Sequence, residues 1–466
     1  MKRSATALGL LGGLALMVAG SRAALGQETP PPEPTPPPGE PATIDQRLED
    51  LDQKIRILQR QREIEAEAAE ERKKTASQFT AGREGFSWKS ADGDFLLRLR
   101  GNVQLDGRFF SGGTPTGTDT FLLRRVRPIF EATVFKIFDF RVMPDFGQGT
   151  TVLFDGYVEA RFSPALRLRA GKFKPPIGLE RLQSATDILF NERAQPTNLV
   201  PNRDVGVQLS GDLANARVQY AVGVFNGVPD LGNGDLDNND GKDVAARLFF
   251  QPFVADQNAF AGLGFGIAAS TGDQAGTATA PNLPAFRTAG QVNFFSYRSD
   301  ATAAGTTVAD GTRKRLSPQA TFYLGHFGLL TEYVSSKQEV RRGSDRAELT
   351  NTAWQAAASW VIGGTASYRG VTPKKPFSGF GSGTGAFELV ARYSRLQVDR
   401  DAFPLFANPA SAARTASAWA LGVNWWANRN VRLMTSYERT EFDGGAAAGA
   451  DRPDERVLFT RFQVAF

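Results

Sequence analysis

The chain is 466 residues long, carries a formal net charge of +5 and contains no cysteine. This length allows two or three soluble domains or one large barrel, and the absence of cysteine excludes a disulfide framework and thiolate metal sites. The pI is near 9.4, but basic residues are interspersed with acidic ones, which argues against nucleic-acid binding.

The first 26 residues have the pattern of a secretory signal peptide. Lys2 and Arg3 precede an apolar run over 5–19, and small residues follow at Ala24 and Gly26. The run, about 15 residues, is short for a membrane span, and a retained anchor is the alternative. Residues 27–42 are rich in proline, so we expect an extended, semi-rigid spacer there.

Residues 43–76 predict a short helical coiled coil. Large apolar side chains recur at alternating spacings of four and three residues, which places them on one seam of a helix. The seam positions are Ile44, Leu48, Leu51, Ile55 and Leu58. Arg62 takes the next seam position. We expect this segment to join subunits in the periplasm; a lone solvated helix or a mostly disordered stalk is the alternative.

The remaining residues, 85–466, predict an all-β fold, an antiparallel transmembrane β-barrel. Over 95–110, apolar residues such as Leu97, Leu99 and Val103 alternate with polar ones. Such a run exceeds the roughly 5–6 residues of a typical soluble strand and suits a tilted strand that crosses a membrane in about 9–11 residues. Short turns and long polar connections, such as 136–137 and 231–241, are the asymmetry of bacterial barrels.

The last residues have the pattern of a strand that closes such a barrel. Leu458, Phe462 and Phe466 fall on one strand face, and Arg461 and Gln463 fall on the other. An apolar face suits lipid and a polar face suits the lumen. At about 24 residues for each strand with its connection, this region holds 16 strands, with 18 as the alternative because bacterial barrels have even numbers. A soluble sandwich or propeller would not require export and strands of this length together.

Enzyme motifs are weak in this sequence. His326 is the only histidine, and Gly325 and Phe327 beside it indicate a tight turn. No suitably placed serine nucleophile accompanies it. We therefore expect no catalytic residue, no metal site and no cofactor.

Inward-facing charged residues are the candidate site. The predicted lumen-lining residues are Arg98, Arg100, Asn102, Asp106, Asp155, Arg167 and Arg169, and the candidate anion filter is Arg124, Arg125 and Arg127. Arginine presents permanently charged donors that match oxyanions, and rings of Arg or Lys select anions in pores. Arg125 and Arg127 share a strand face, whereas Arg124 takes the other unless a bend redirects it. The alternative is that inward acids pair with these arginines, which then only brace the wall.

Several short stretches, in the same order along the chain, resemble the phosphate-selective porin O and P family. They are 99–106 (LRGNVQLD), 121–125 (FLLRR), 154–155 (FD), 170–174 (AGKFK), 178–180 (GLE), 204–207 (DVGV) and 421–428 (LGVNWWAN). The resemblance implies a trimeric, 16-stranded outer-membrane porin whose loops fold inward. It also implies that Arg124 and Arg125 line the pore constriction, that Asp155 is an acid near a strand start, and that 182–203 is an inward-folded loop.

Two departures from the family pattern concern phosphate. Asn102 stands where the phosphate channels have an arginine, and 277–287 retains only Arg287 of a run of arginines. Both changes should weaken attraction of a doubly charged oxyanion, and Arg127 compensates in part.

The sequence therefore predicts a porin of the bacterial outer membrane for passive diffusion of small hydrophilic solutes. We expect a preference for anions such as phosphate or polyphosphate, a homotrimer in contact with outer-membrane lipid, and no nucleic-acid partner. The alternatives are a weakly selective general porin, or a coiled coil that tethers the outer membrane to the cell wall.

Overall fold

The computed structural model describes residues 43–112, 117–237, 239–256, 258–379 and 383–466. The predicted signal peptide and spacer, 1–26 and 27–42, lie outside the described residues. The chain divides into two compact units, one up to Arg72 and one from Lys73. Within the described ranges, no helix is long and apolar enough to cross a membrane.

The first unit contains most of one long helix, α1 (Ile44–Thr75). Its first turn is capped from both sides: Gln46 N donates to Thr43 Oγ1 at 3.5 Å, and Thr43 N donates to Gln46 Oε1 at 3.1 Å, the reciprocal pattern of a capping box. The predicted seam is solvent-exposed along its length, from 78% at Ile44 to 51% at Ile55. The helix is as expected, and the pairing of its seam with another helix stays a prediction.

The second unit is a closed antiparallel barrel of sixteen strands among the described residues. The first eight are β1 (Phe95–Ser111), β2 (Thr120–Val134), β3 (Phe138–Asp145), β4 (Val152–Ser163), β5 (Leu166–Phe173), β6 (Asp204–Leu213), β7 (Val218–Phe225) and β8 (Asp243–Phe250). The second eight are β9 (Leu263–Ala275), β10 (Val308–Leu324), β11 (Phe327–Arg342), β12 (Asp345–Ile362), β13 (Ala386–Gln397), β14 (Ala413–Trp426), β15 (Val431–Gly444) and β16 (Glu455–Ala465).

The barrel closes where β16 pairs with β1, with Phe462 opposite Leu105 and Arg461 opposite Asp106. A short hairpin (Gln78–Gly82 and Gly85–Lys89) pairs with the start of β1, where β16 has already ended. These two strands belong to the same sheet but not to the closed barrel. Of the two expected strand counts, sixteen is therefore the number that forms the wall.

The two faces of the strands divide as a membrane barrel requires. On β1, Leu97 and Val103 are exposed, whereas Gln104 and Asp106 are buried inside. On β16, Phe462 is exposed and Arg461 is buried. The apolar outer face suits hydrocarbon and the polar inner face suits a lumen.

The connections at the two barrel ends differ in length, with three exceptions. The turn end carries 135–137, 164–165, 214–217, 251–262, 325–326, 363–385 and 427–430, and the loop end carries 112–119, 146–151, 174–203, 226–242, 276–307, 343–344, 398–412 and 445–454. The exceptions are 343–344, a tight turn at the loop end, and 251–262 and 363–385, two long connections at the turn end.

An apolar core inside the barrel holds several loops in place. Residues of 174–203, 276–307 and 398–412 pack against the inner faces of β11 to β15. Leu199, Phe286 and Phe406 belong to this core together with Val334 and Leu349. The small elements of these loops are the helix α2 (Leu179–Leu182), the 3-10 helices Gln195–Leu199 and Arg400–Ala402, and the paired strands Ala285–Arg287 and Asn293–Ser296. Burial of this core fixes connection 174–203, here called the inner loop, across the lumen.

Candidate functional site

A β-bulge in β2 turns Arg124 and Arg125 toward the same interior. Gln104 of β1 pairs with Arg125 and Leu105 pairs with Leu123, so Arg124 is the extra residue. A bulge can re-aim a side chain in this way. Gly147 makes the bulge possible, because a Cβ at this position would lie 2.7 Å from the Arg124 carbonyl oxygen. Strand alternation predicts that Arg124 faces away from the lumen unless a bend redirects it, and this bulge is that bend.

Glu192 of the inner loop lies at the centre of four guanidinium groups. Arg108 Nη2 donates to its Oε1 at 3.0 Å, and Arg124 Nη2 donates to its Oε2 at 3.0 Å. Arg124 Nε donates to Oε1 as well. Arg125 Nη2 lies 3.5 Å from Oε2, and Arg461 Nη2 lies 3.9 Å from Oε1. The inner loop thus supplies the main counter-ion of the predicted filter.

These groups form a buried cluster with excess positive charge. Arg461 also holds Asp106 through two hydrogen bonds of 2.6 and 2.7 Å. We call Arg108, Arg124, Arg125 and Arg461 with Glu192 and Asp106 the arginine cluster; its four cations against two carboxylates leave a net charge of +2. Among the described residues, Arg108 Nε and Arg461 Nη1 are buried without a hydrogen-bond partner. Donor capacity therefore remains for an anion or water.

The arginine cluster sets the protonation state of Glu192. Burial alone would raise the pKa of this carboxyl group, but the charges of Arg124, Arg125 and Arg108 outweigh burial. They hold the pKa of Glu192 well below the usual glutamate value of 4.5. The carboxylate therefore stays ionised at neutral pH.

Arg127 and Asp155 belong to a second group, nearer the turn end. Arg127 Nε donates to Asp145 Oδ2 at 2.8 Å. Asp155 accepts from Arg203 Nε at 3.1 Å and from Arg141 Nε at 3.2 Å. The guanidinium carbons of Arg127 and Arg203 lie 4.3 and 4.8 Å from the ring centre of Phe154. These charges are mostly paired with one another.

A cavity of about 770 Å³, here called the vestibule, occupies the turn end of the lumen below the inner loop. Its wall carries ten arginine and lysine side chains and only three carboxylates. Five of the predicted site residues line it: Arg100, Asn102, Arg127, Asp155 and Arg169. An anion that enters from this end therefore meets a positive surface.

Several vestibule cations have no carboxylate partner in the described part of the chain. Lys174 Nζ donates to the carbonyl oxygens of Leu182 and Gln183 at 3.2 and 2.9 Å. Arg247 Nε donates to Gln319 Oε1 at 3.0 Å. Burial, followed by the charges of neighbouring arginines, holds the pKa of Lys174 well below its usual value. An anion beside Lys174 would reduce the repulsion between Lys174 and the neighbouring arginines.

The other predicted residues lie outside the vestibule. Arg98 is exposed on β1, and Arg167 is paired with Asp212. Asp106, Arg124 and Arg125 belong to the arginine cluster. Arg287, the remaining arginine of 277–287, donates from Nε to Asn293 Oδ1 at 3.0 Å and does not line the vestibule.

Sequence reasoning missed Glu192 and the unpaired vestibule cations. Glu192 falls within 182–203, which the family resemblance indicated as an inward loop. An acidic residue in such a loop could have been predicted to pair with the lumen arginines. Lys174, Arg247, Arg369 and Arg429 come from four separate connections and strands, and no local pattern joins them. His326 lies at the expected turn, with Nδ1 2.7 Å from the Val361 carbonyl oxygen. In the described ranges, no group of three or more His, Cys, Asp or Glu side chains could hold a metal ion.

Comparison with known proteins now identifies the family. The sequence model of the phosphate-selective porin O and P family matches residues 97–466. The chain belongs to this family. Porin O of Pseudomonas aeruginosa is 24% identical over 415 residues, which is 82% of this chain and 91% of that protein.

Solved structures share the barrel fold of this phosphate-selective porin O and P family member. The trimer form of OmpT, an outer membrane protein of Vibrio cholerae, matches 80% of this chain and 99% of its own with a TM-score of 0.51 and 11% identity. The outer membrane channel DcaP of Acinetobacter baumannii matches 83% of this chain and 100% of its own, with a TM-score of 0.52 and 12% identity. The protein is therefore an outer-membrane porin, and its family indicates a channel rather than an enzyme.

Proposed function

We propose that this porin passes small anions by diffusion and prefers oxyanions such as phosphate or polyphosphate. The observation that carries the proposal is the vestibule wall, with ten cationic side chains against three carboxylates. A cavity lined by one sign of charge concentrates ions of the opposite sign. Family membership and the distant relative Porin O support phosphate as the preferred oxyanion.

The pathway has two stages. The vestibule attracts the anion at the turn end. Five of its cations have no carboxylate partner among the described residues: Arg83, Lys174, Arg247, Arg369 and Arg429. On the loop-end side of the vestibule, the arginine cluster offers its net charge of +2 and its unused donors. An anion there competes with Glu192 for Arg124 and Arg125, so binding is weaker than at a cluster without this carboxylate.

Orientation and assembly complete the proposal. Long loops face the outside in bacterial barrels, so the loop end faces the exterior and the vestibule opens to the periplasm. The trimer form of OmpT supports a homotrimer for this chain. The exposed seam of α1 then forms a three-stranded coiled coil in the periplasm, as the heptad spacing favours; contact of α1 with the cell wall is the alternative.

A weakly selective general porin is the second candidate function. It is favoured by the pairing of many lumen arginines, such as Arg127 with Asp145 and Arg169 with Glu159. Paired charges attract permeating anions less than free ones, because the carboxylate cancels much of the field.

Single-channel recording in a planar bilayer separates the two candidates. Under a KCl gradient we expect an anion-selective reversal potential and a chloride current that phosphate blocks. The double variant Arg124→Ala, Arg125→Ala should move the reversal potential toward that of a cation channel. A wild-type reversal potential near zero, without block by phosphate, would contradict anion preference and favour the general porin. An unchanged reversal potential in the double variant would show that Arg124 and Arg125 do not determine selectivity.

A further inference from the structure

The outward-facing tyrosine and tryptophan residues are concentrated on one side of the barrel. Seven of them occupy the neighbouring strands β11 to β15. They are Tyr333, Trp354, Trp360, Tyr393, Trp419, Trp425 and Tyr437. On the described barrel strands, the one further outward residue of these types is Tyr220 of β7. Because Tyr and Trp mark membrane–water interfaces, this side of the barrel faces lipid.

An apolar groove runs over the outer surface of this side. It has a volume of about 760 Å³ and is lined by residues of β11 to β16. Its lining residues include Ala391, Thr435, Leu389, Leu421 and Leu458. At its loop end the ring centres of Trp354 and Tyr393 are 5.2 Å apart, and those of Trp419 and Tyr437 are 5.6 Å apart. The apolar groove can accommodate alkyl chains, and the row of Tyr and Trp residues at its loop end marks the level of the membrane surface.

Two arginines without partners stand beyond the loop end of the groove. On the outward face of β16, Arg456 lies two positions nearer the loop end than Leu458, and on β13 Arg395 lies two positions nearer the loop end than Tyr393. Both side chains are exposed. Neither forms a hydrogen bond or an ion pair with the rest of the chain that the structure describes.

Arg456 lacks the counter-ions that its cross-strand neighbour has. Arg439 stands directly opposite Arg456 in the pairing of β15 with β16, and like charges directly opposite destabilise a strand pair. Arg439 is neutralised by Asp454 at 2.7 Å and Glu441 at 3.1 Å. Arg456 has no such carboxylate, so an anionic ligand would supply the missing counter-charge.

We propose that this face binds a phosphorylated glycolipid of the outer leaflet, the lipid A part of lipopolysaccharide. Its acyl chains lie in the groove, and its phosphate groups bind Arg395 and Arg456. The loop end faces the outer leaflet in the orientation proposed above, on which this inference rests, and basic side chains at the membrane surface recognise anionic lipid headgroups.

The test is lipid A binding to the full chain, purified in detergent and stripped of lipid, with bound lipid counted by native mass spectrometry. The double variant Arg395→Gln, Arg456→Gln should weaken binding at least about tenfold, since each basic side chain near an anionic headgroup contributes about 1 kcal/mol. Lys314→Gln is the matched control. Lys314 is an exposed, outward-facing cation of β10 that does not line the groove, and its loss should leave binding unchanged.

Four outcomes would overturn the proposal. Lipid A without phosphates could bind as tightly as lipid A, or the control variant could lose as much affinity as the double variant. Phosphatidylglycerol could bind the wild type as tightly, which would assign the site to a phospholipid. The double variant could also retain lipid A binding while its oligomer dissociates, which would make this face an interface between copies of the chain. Reversal potentials of the same variants test the proposed anion selectivity, whereas native mass spectrometry tests lipid binding. Failure of one proposal can therefore be distinguished from failure of the other.

Discussion

Glu192 limits the positive charge of the arginine cluster. It is buried and contacts Arg108, Arg124 and Arg125 at once. Removing one member of a buried ion pair typically costs about 3–5 kcal/mol because the other charge is left unpaired. The contact therefore holds the inner loop against β1 and β2 and also reduces the affinity of these arginines for a permeating anion.

Glu192→Gln should raise the anion preference of the channel. Glutamine keeps the shape and one acceptor oxygen, while the net charge of the arginine cluster rises by one. A unit charge about 8 Å from a monovalent ion contributes roughly 1 kcal/mol in a partly aqueous lumen, so the chloride-to-potassium permeability ratio should rise about fivefold. The measurement is the reversal potential in a KCl gradient.

The matched control is Asp139→Asn, which also removes one negative charge. Asp139 is bound by Arg161 and Thr133 near the turn end and belongs neither to the arginine cluster nor to the vestibule wall. An equal rise in both variants would attribute the effect to net charge alone and would argue against a local role of Glu192.

The depressed pKa of Glu192 predicts the acid limit of the selective state. A carboxyl group whose folded pKa is lowered stabilises the fold fully above its unfolded pKa, which is near 4.5 here, and loses this contribution as the pH falls through the folded value. We therefore expect the contribution of Glu192 to selectivity to stay constant from neutral pH down to at least about 4.5. In recordings at decreasing pH, the difference in reversal potential between the wild type and Glu192→Gln should change only below that value. A transition near pH 6 in the wild type alone would contradict the assignment.

At the scale of elements, connections from both barrel ends meet inside the lumen. Tyr368 of 363–385 donates its hydroxyl to the Leu179 carbonyl oxygen at 2.6 Å, and Gln183 Nε2 donates to the Tyr368 carbonyl oxygen at 2.7 Å. Val371 of the same connection packs against Trp426. These contacts join the turn-end connection to the inner loop and hold Arg369 at the vestibule wall.

Removing the turn-end cations should weaken anion selectivity without disturbing the fold. Arg369→Gln with Arg429→Gln lowers the vestibule charge by two, and neither side chain forms an ion pair in the described part of the chain. We expect the chloride-to-potassium ratio to fall, with a larger change in about 0.1 M than in about 1 M KCl, because the Debye length shortens from about 10 to about 3 Å. Reversal potentials at the two salt concentrations measure this.

Arg217→Gln is the control for that experiment, because Arg217 lies in the turn 214–217, is paired with Asp256 and does not line the vestibule. A selectivity change in this control, or a change in the double variant that does not depend on salt, would argue against vestibule attraction.

At the scale of the whole molecule, α1 offers a test of the proposed trimer. Burial of a seam side chain between helices contributes on the order of 1 kcal/mol or more per chain. Leu51→Asp should therefore lower the temperature at which the oligomer dissociates on a semi-native gel, with the conductance of each channel unchanged. Gln53→Asp adds the same residue two positions away, off the seam, and should have little effect. Equal dissociation temperatures for the two variants would contradict a coiled coil in this oligomer.

The sequence by itself determined the architecture of the wall. The period-two alternation of residues such as Leu97, Asp106 and Phe462 is a local property, and the length of the alternating runs is set by the membrane. From these the barrel, the inward faces of β1 and β16 and the count of sixteen or eighteen strands could be predicted. The helix over Ile44–Thr75 followed from heptad spacing in the same way.

Only the tertiary structure decided how the interior charges are arranged. The direction of Arg124 depends on a bulge that Gly147, from the next connection at the loop end, makes possible. The neutralisation of Arg124 and Arg125 depends on Glu192, which lies far along the chain and reaches them because an apolar core fixes the inner loop across the lumen. The gathering of Lys174 and Arg369 at one wall also requires the barrel to close. Strand alternation says which way a side chain points, whereas its partners are set by loops whose paths depend on contacts between residues distant in sequence.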